Sequence, residues 1–177
     1  MIRSLAIRSL AIAAVLLLGV AGASAGSITD TFTATPNLVI PDAPSGELGP
    51  EVSTTMDIAL PRYISDIEIY FALDHNSSSD LRMWVESPYE TKIMLFFIGE
   101  GGEPNVDPAG WYDTDFTPKE SMDPWIGEGM SGTWTMIWQD LSNGETGTLT
   151  EWRIKVTYDD AIATEETDWT DIKALYR

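Results

Sequence analysis

Apolar and polar residues alternate with period two along most of the chain. Between 54 and 60, Thr54, Met56, Ile58 and Leu60 interleave with Thr55, Asp57 and Ala59. Ile67, Ile69, Phe71 and Leu73 stand opposite Asp66, Glu68 and Tyr70, and Leu81, Met83 and Val85 stand opposite Arg82, Trp84 and Glu86. Trp134, Met136 and Trp138 share one side of 133–139; Trp152, Ile154, Val156 and Tyr158 oppose Arg153, Lys155 and Thr157. Successive side chains of a strand point to opposite faces, so the pattern predicts half-buried antiparallel strands. The run Ile93-Met-Leu-Phe-Phe-Ile98 is apolar throughout and predicts a central strand. Several short strands with turn residues between them predict an all-β fold, a jelly-roll-like antiparallel β-sandwich.

The breakers agree with that reading. Pro41-Asp42 and Pro44-Ser45-Gly46 mark a loop ahead of the first predicted strand, and Ser87-Pro88-Tyr89-Glu90 marks a tight connection. Asn143-Gly144, within the short connection Asp140 to Gly147, is a hairpin signal. Residues 99–130 are rich in Gly, Pro, Asp and Glu with little periodicity, a length that usually marks functional or ligand-ordered chain. Residues 159–177 form an acidic tail, with Trp169, Ile172 and Leu175 at helical spacing and Lys173 and Arg177 toward its end.

Residues 1–25 read as a signal peptide: Arg3 and Arg8, an apolar run from Leu10 to Val20, then Ala23-Ser24-Ala25 before Gly26. The run is shorter than the roughly 20 residues that span a bilayer, so no membrane anchor is expected after cleavage. A secreted or periplasmic location follows. Cleavage leaves about 150 residues, enough for one domain over 26–158. It also removes two arginines and no acids, taking the formal net charge from −18 to −20. Such a charge disfavours nucleic acid and anionic membranes as partners, since phosphate binding needs a basic surface. There is no cysteine, so disulfides and a lipid-modified cysteine are excluded and the fold rests on its own core.

A set of short motifs falls in a fixed order along this framework. Ile40-Pro41-Asp42 comes first, then Leu73-Asp74-His75, Asp80-Leu81 and Ser87-Pro88. Gly132-Thr133-Trp134-Thr135-Met136 follows, then Asp140, Gly144 and Gly147-Thr148-Leu149-Thr150-Glu151-Trp152. Over residues 28–158 the chain resembles the P domain, or P/Homo B domain, that follows the catalytic domain in subtilisin-like proprotein convertases. The resemblance implies a jelly-roll sandwich that stabilises an adjoining subtilisin domain and influences its calcium and pH dependence. It also implies structural roles for His75, Trp134, Asp140 and Trp152. No subtilisin domain accompanies these residues, so the implied partner is another secreted protein, a subtilase supplied in trans.

Catalysis by the chain itself is not expected. A Ser-His-Asp triad needs a base against a nucleophile, and His75 is the single histidine. Gly129-Met-Ser131-Gly132 is only superficially a nucleophile elbow. Calcium is the expected cofactor, since hard oxygen ligands suit it: Asp80, beside the loop after His75, with Asp113 and Asp115 in Trp111-Tyr-Asp-Thr-Asp-Phe116. The bland alternative is that these aspartates cap turns or face solvent. A carbohydrate-binding or adhesion module is the rival function. Trp111, Tyr112 and Trp125, in the irregular segment, are its candidate platform. Asn76-Ser77-Ser78 fits a glycosylation acceptor.

Overall fold

Each alternating run forms a strand and turns its apolar positions inward. The computed structural model describes residues 26–75, 77–97, 109–112 and 114–160. Among them are nine strands: β1 (Ser27–Ala34), β2 (Leu38–Ile40), β3 (Val52–Ile58), β4 (Asp66–His75), β5 (Leu81–Glu86), β6 (Lys92–Phe96), β7 (Ala109–Tyr112), β8 (Gly132–Asp140) and β9 (Gly147–Asp159). They form two antiparallel sheets. One has the order β1-β9-β4-β7, with β2 also pairing with β9; the other has the order β3-β8-β5-β6. The predicted all-β sandwich is the fold observed.

The spine of the first sheet is β9, thirteen residues long. One edge pairs with β4 from Gly147 to Thr157. The other carries β1 against Trp152–Asp159 and β2 against Gly147–Leu149. Pro36, which has no N–H to give, and Asn37, at φ 47, separate these two short strands. The β1 strand lacks a clean sequence signal because Asp30 shares its half-buried face with Ile28 and Phe32. Tyr158 Oη donates to that carboxylate at 2.7 Å, which makes an acid tolerable there.

Facing apolar rows close the core. Ile67, Ile69, Phe71 and Leu73 of β4 and Trp152, Ile154 and Val156 of β9 meet Leu81, Met83 and Val85 of β5 and Trp134, Met136 and Trp138 of β8. Four tryptophans are fully buried: Trp125, Trp134, Trp138 and Trp152. Trp125, on a 3-10 turn over Asp123–Trp125, meets Trp134 edge-on with ring centroids 5.5 Å apart. Their indole N–H groups donate to Thr91 O at 3.0 Å and to Met130 O at 3.1 Å. These two rings remove a large apolar area from water while their polar atoms keep a partner.

Three expectations are corrected. The Ile93–Ile98 run is not central: β6 is at the end of its sheet. Its apolar outer edge is shielded because Lys119 N donates to Leu95 O, Glu120 N donates to Met94 O, and Met94 N donates to the Glu120 carboxylate. Asn143-Gly144 does not close a hairpin, since β8 and β9 belong to different sheets and the connection crosses between them. The segment 99–130 is not irregular throughout: it supplies β7 and the turn that buries Trp125. The signal peptide, Asn76 of the glycosylation acceptor, Asp113, and the tail from 161 onward lie outside the described residues.

Candidate functional site

Six of the ordered motif segments meet at one end of the sandwich, where the chain crosses between sheets after β2, β4 and β8, while Ser87-Pro88 packs on Gly132 at the other end. His75 closes β4 and Asp140 closes β8; both are buried, at 1% and 0% exposure. Ser77 N–H donates to His75 Nδ1 at 3.1 Å, so the proton of the neutral ring belongs on Nε2. That nitrogen faces Asp140 Oδ2 at 3.5 Å. Asp140 Oδ1 accepts from Ser142 N–H at 2.9 Å. Burial pushes the Asp140 carboxyl above the usual carboxylate range, opposed by the Ser142 N–H and by His75.

Neighbouring motifs tighten the same knot. Leu141 N donates to Asp80 O, and Gly49 N donates to Asp140 O. Ser77 Oγ donates to the Asp80 carboxylate at 2.6 Å. Asp42 accepts from Gly144 N–H at 2.8 Å, and Asn143 Nδ2 donates to Ala43 O at 3.0 Å. Gly147 is obligatory, because a Cβ there would overlap His75 Cδ2 and lie 3.0 Å from Asp74 O. Six motif segments that are scattered in sequence thus lock three crossovers together.

This constellation contains Ser, His and Asp without being a triad. The Ser77 hydroxyl is spent on Asp80, and His75 Nδ1 is engaged by a backbone N–H rather than by a hydroxyl. Catalytic hydrogen bonding needs the base against the nucleophile. Here the arrangement orients a buried ring.

Of the predicted calcium ligands, Asp80 and Asp115 are described, and they stand apart. Asp80 sits at the His75 end. Asp115 Oδ2 accepts from Trp111 N–H at 2.9 Å, next to Tyr112, which pairs with Ile69, six residues before His75 on β4. Six residues of strand span about 20 Å. Among the described residues, no group of three or more His, Asp or Glu side chains is placed to hold a metal ion. Asp80 and Asp115 therefore do not share one ion.

The predicted binding platform also divides. Tyr112 and Trp125 are buried and offer no ring face to a ligand. Both sit at inward positions that an aperiodic segment conceals from sequence reading. Burial raises the Tyr112 phenol far above its ordinary range. Trp111 is half-buried on the outer face of the first sheet, beside Tyr70 at 5.2 Å and under Lys155 at 4.8 Å. Trp134 and Trp152 are buried in the core.

That stacking is general. Among the described residues every basic side chain lies over an aromatic ring. Arg62 is on Tyr158, Arg82 and Lys92 are both on Trp84, Lys119 is on Phe97, Arg153 is on Tyr70, and Lys155 is on Trp111. The cations hug the surface, and the acids dominate what projects from it.

The opposite end is finished differently. Residues 62–64 form a short ladder with 127–130: Gly127 N donates to Ile64 O, Ile64 N to Glu128 O and Met130 N to Arg62 O. Glu128 accepts from Ser87 Oγ at 2.6 Å and from Thr91 Oγ1, tying the ladder to the β5–β6 turn. Tyr89 in that turn lies over Gly129, and Tyr63 bridges to the same glycine. Tyr63, Tyr89 and Ile126 are 73%, 61% and 45% exposed. Sequence reasoning did not single out these residues; the clue available was an aromatic placed directly after Pro88 in a turn.

Fold and site together define an antiparallel β-sandwich whose motif residues lock its own crossovers. The chain belongs to the proprotein convertase P-domain family, whose model matches residues 64–156. No curated protein matches it by sequence. Among solved structures it is similar to a serine protease of Aeromonas sobria in complex with a chaperone, with TM-score 0.56 and 16% identity over 77% of this chain and 28% of that one. The same protease solved without the chaperone gives TM-score 0.55 at 15% identity, over 75% and 27%. FlhE gives TM-score 0.50 at 10% identity, over 76% of this chain and 98% of its own. The chain therefore spans little more than a quarter of the protease structures, whereas the same fold makes up nearly all of FlhE.

Proposed function

We propose that this domain is a non-catalytic companion that docks on a subtilisin-like serine protease outside the cytoplasm and stabilises it. Membership of the P-domain family carries this reading, since the family's domain is a companion of proteases. Two features support it. The single histidine is buried facing Asp140 and accepts a backbone N–H at Nδ1, an arrangement that suits a structural ring. The knot that seals it makes a rigid body, which is what a stabilising partner needs. A calcium link remains part of the proposal, although the described residues do not assemble its ligands.

The test is a mixing experiment with the catalytic domain of a subtilisin-like protease from the same genome that lacks a P domain of its own. The expected result is a saturable rise of several degrees in the protease's melting temperature and a longer activity half-life. A calcium titration of each protein and of the mixture reads the metal link separately. Unchanged melting of both proteins at equimolar and tenfold excess would overturn the companion role.

A further inference from the structure

We propose that the Tyr63–Tyr89–Ile126 end of the sandwich is a protein-docking surface and that its occupant is an uncharged face of the protease catalytic domain. This deepens the companion role and rests on it. Three of the six large hydrophobic side chains that the described residues expose gather at this end, at 73%, 61% and 45% exposure. They stand on a fixed base: the 62–64/127–130 ladder, the Glu128 clasp on Ser87 and Thr91, and Trp125 anchored on Thr91 O. Rigid tyrosines beside glycines give large contact area at low cost in conformational entropy.

Charge selects the occupant. The formal net charge of −18 makes approach by any acidic surface unfavourable, because like charges placed together cost free energy. At this end two of the charges near the tyrosines are already engaged. Glu128 spends both oxygens inside the chain, and Arg62 lies on the Tyr158 ring at 6.0 Å. Glu90 and Asp123 are left as an exposed acidic rim around a neutral centre. Depletion of charge at the centre, enrichment in tyrosine and a polar rim are the anatomy of a protein interface. A saccharide would use the two ring faces but gains little from a branched aliphatic group such as Ile126. In the Aeromonas sobria protease structures this fold is part of a longer protease chain, so a neighbour of the required kind exists beside the fold there.

The decisive experiment compares three proteins for binding to the protease catalytic domain named above: the native chain, Tyr63→Ser/Tyr89→Ser/Ile126→Ser, and the control Val39→Ser/Leu48→Ser. The control removes two exposed apolar groups located elsewhere. Expected is at least a tenfold loss of affinity for the triple variant and a change within twofold for the control. Single Tyr63→Ser, measured in parallel, should lose at least threefold with an unchanged melting temperature, which separates lost contact from lost fold. If the native chain binds and the triple variant binds equally well, the docking surface lies elsewhere while the companion role stands. If the native chain does not bind, the companion role fails and takes this proposal with it. If the native chain instead binds chito-, cello- or manno-oligosaccharides and the triple variant does not, the surface is a sugar platform and the proposal is overturned.

Discussion

At one end of the sandwich a histidine and an aspartate are buried together and every nearby loop is hydrogen-bonded over them. At the other end two tyrosines and an isoleucine stand in solvent on a base that is just as well bonded. The same strands connect the two: β4 runs from Asp66 at the open end to His75 at the sealed one, and β8 runs from Gly132 to Asp140. Most of the family motifs gather at the three crossovers of the sealed end, whose misplacement would misplace whole strands. Tyr63 and Ile126 also lie on connections between the sheets, β3 to β4 and β7 to β8, but their side chains point into solvent while the backbone ladder holds those connections. A polar, buried and closed end fixes the fold; an aromatic, exposed and rigid end is available to a partner.

Breaking the sealed end should cost most. In His75→Ala the Asp140 carboxyl loses its facing ring and stays buried, an arrangement that destabilises by about 3 kcal/mol. Urea denaturation should show a lower midpoint with an unchanged slope. The double variant His75→Ala/Asp140→Ala should be no less stable than His75→Ala alone, since the uncompensated charge is gone; a further large loss would show that the pair is not acting as a unit.

Two glycines then set the ends against each other. Gly147→Ala pushes a methyl into the buried His75 ring and toward a backbone carbonyl, with an expected cost of about 2 kcal/mol from overpacking. Gly129→Ala meets Tyr89 Oη at 2.6 Å, but that contact is the far end of an exposed ring that can swing aside. Its cost should stay within about 0.5 kcal/mol. Equal effects in thermal melts would erase the distinction between the ends.

The strands that build both ends were legible in the sequence wherever one face is buried: β4 and β5 alternate strictly, as does β9 from Trp152 to Tyr158, while β8 keeps Trp134, Met136 and Trp138 on one face. Where a polar group occupies an inward-facing position, as Asp30 does in β1, the pattern fails because the compensating hydroxyl of Tyr158 is 128 residues away. Sheet membership was not legible either. Asn143-Gly144 makes a turn in both a hairpin and a crossover, and only the pairing of β9 with β4 decides between them. His75 and Asp140 stood out through their motif positions, whereas Tyr63 and Tyr89 did not, since an exposed aromatic leaves no trace in periodicity. Asp80 and Asp115 were legible as acids in two different loops, but composition could not say that about a strand's length separates them.

A smaller effect tests the chemistry of the sealed pair through pH. Burial raises the Asp140 carboxyl above its ordinary value of 3.8, so the folded state favours the protonated form. That contribution is fully present below 3.8 and is lost as pH rises through the folded-state value. Asp140→Asn retains an oxygen for the Ser142 N–H and has no proton to lose. The melting-temperature difference, native minus variant, should therefore fall as pH increases from 3.8 toward neutrality. A difference that grows over that range would mean that ionised Asp140 is favoured by its surroundings.

The smallest expected effect belongs to the open end. Tyr63 is bonded to the ladder through its backbone, while its ring projects into water. Removing the ring in Tyr63→Ser takes nothing out of the core, so stability should change by no more than about 0.5 kcal/mol. A loss comparable to that of His75→Ala would mean that the ring supports the ladder instead of presenting itself. The open end would then be a second structural lock, and the contrast between the two ends would disappear. A neutral effect on folding beside a large effect on docking is the combination that a surface built for a partner requires.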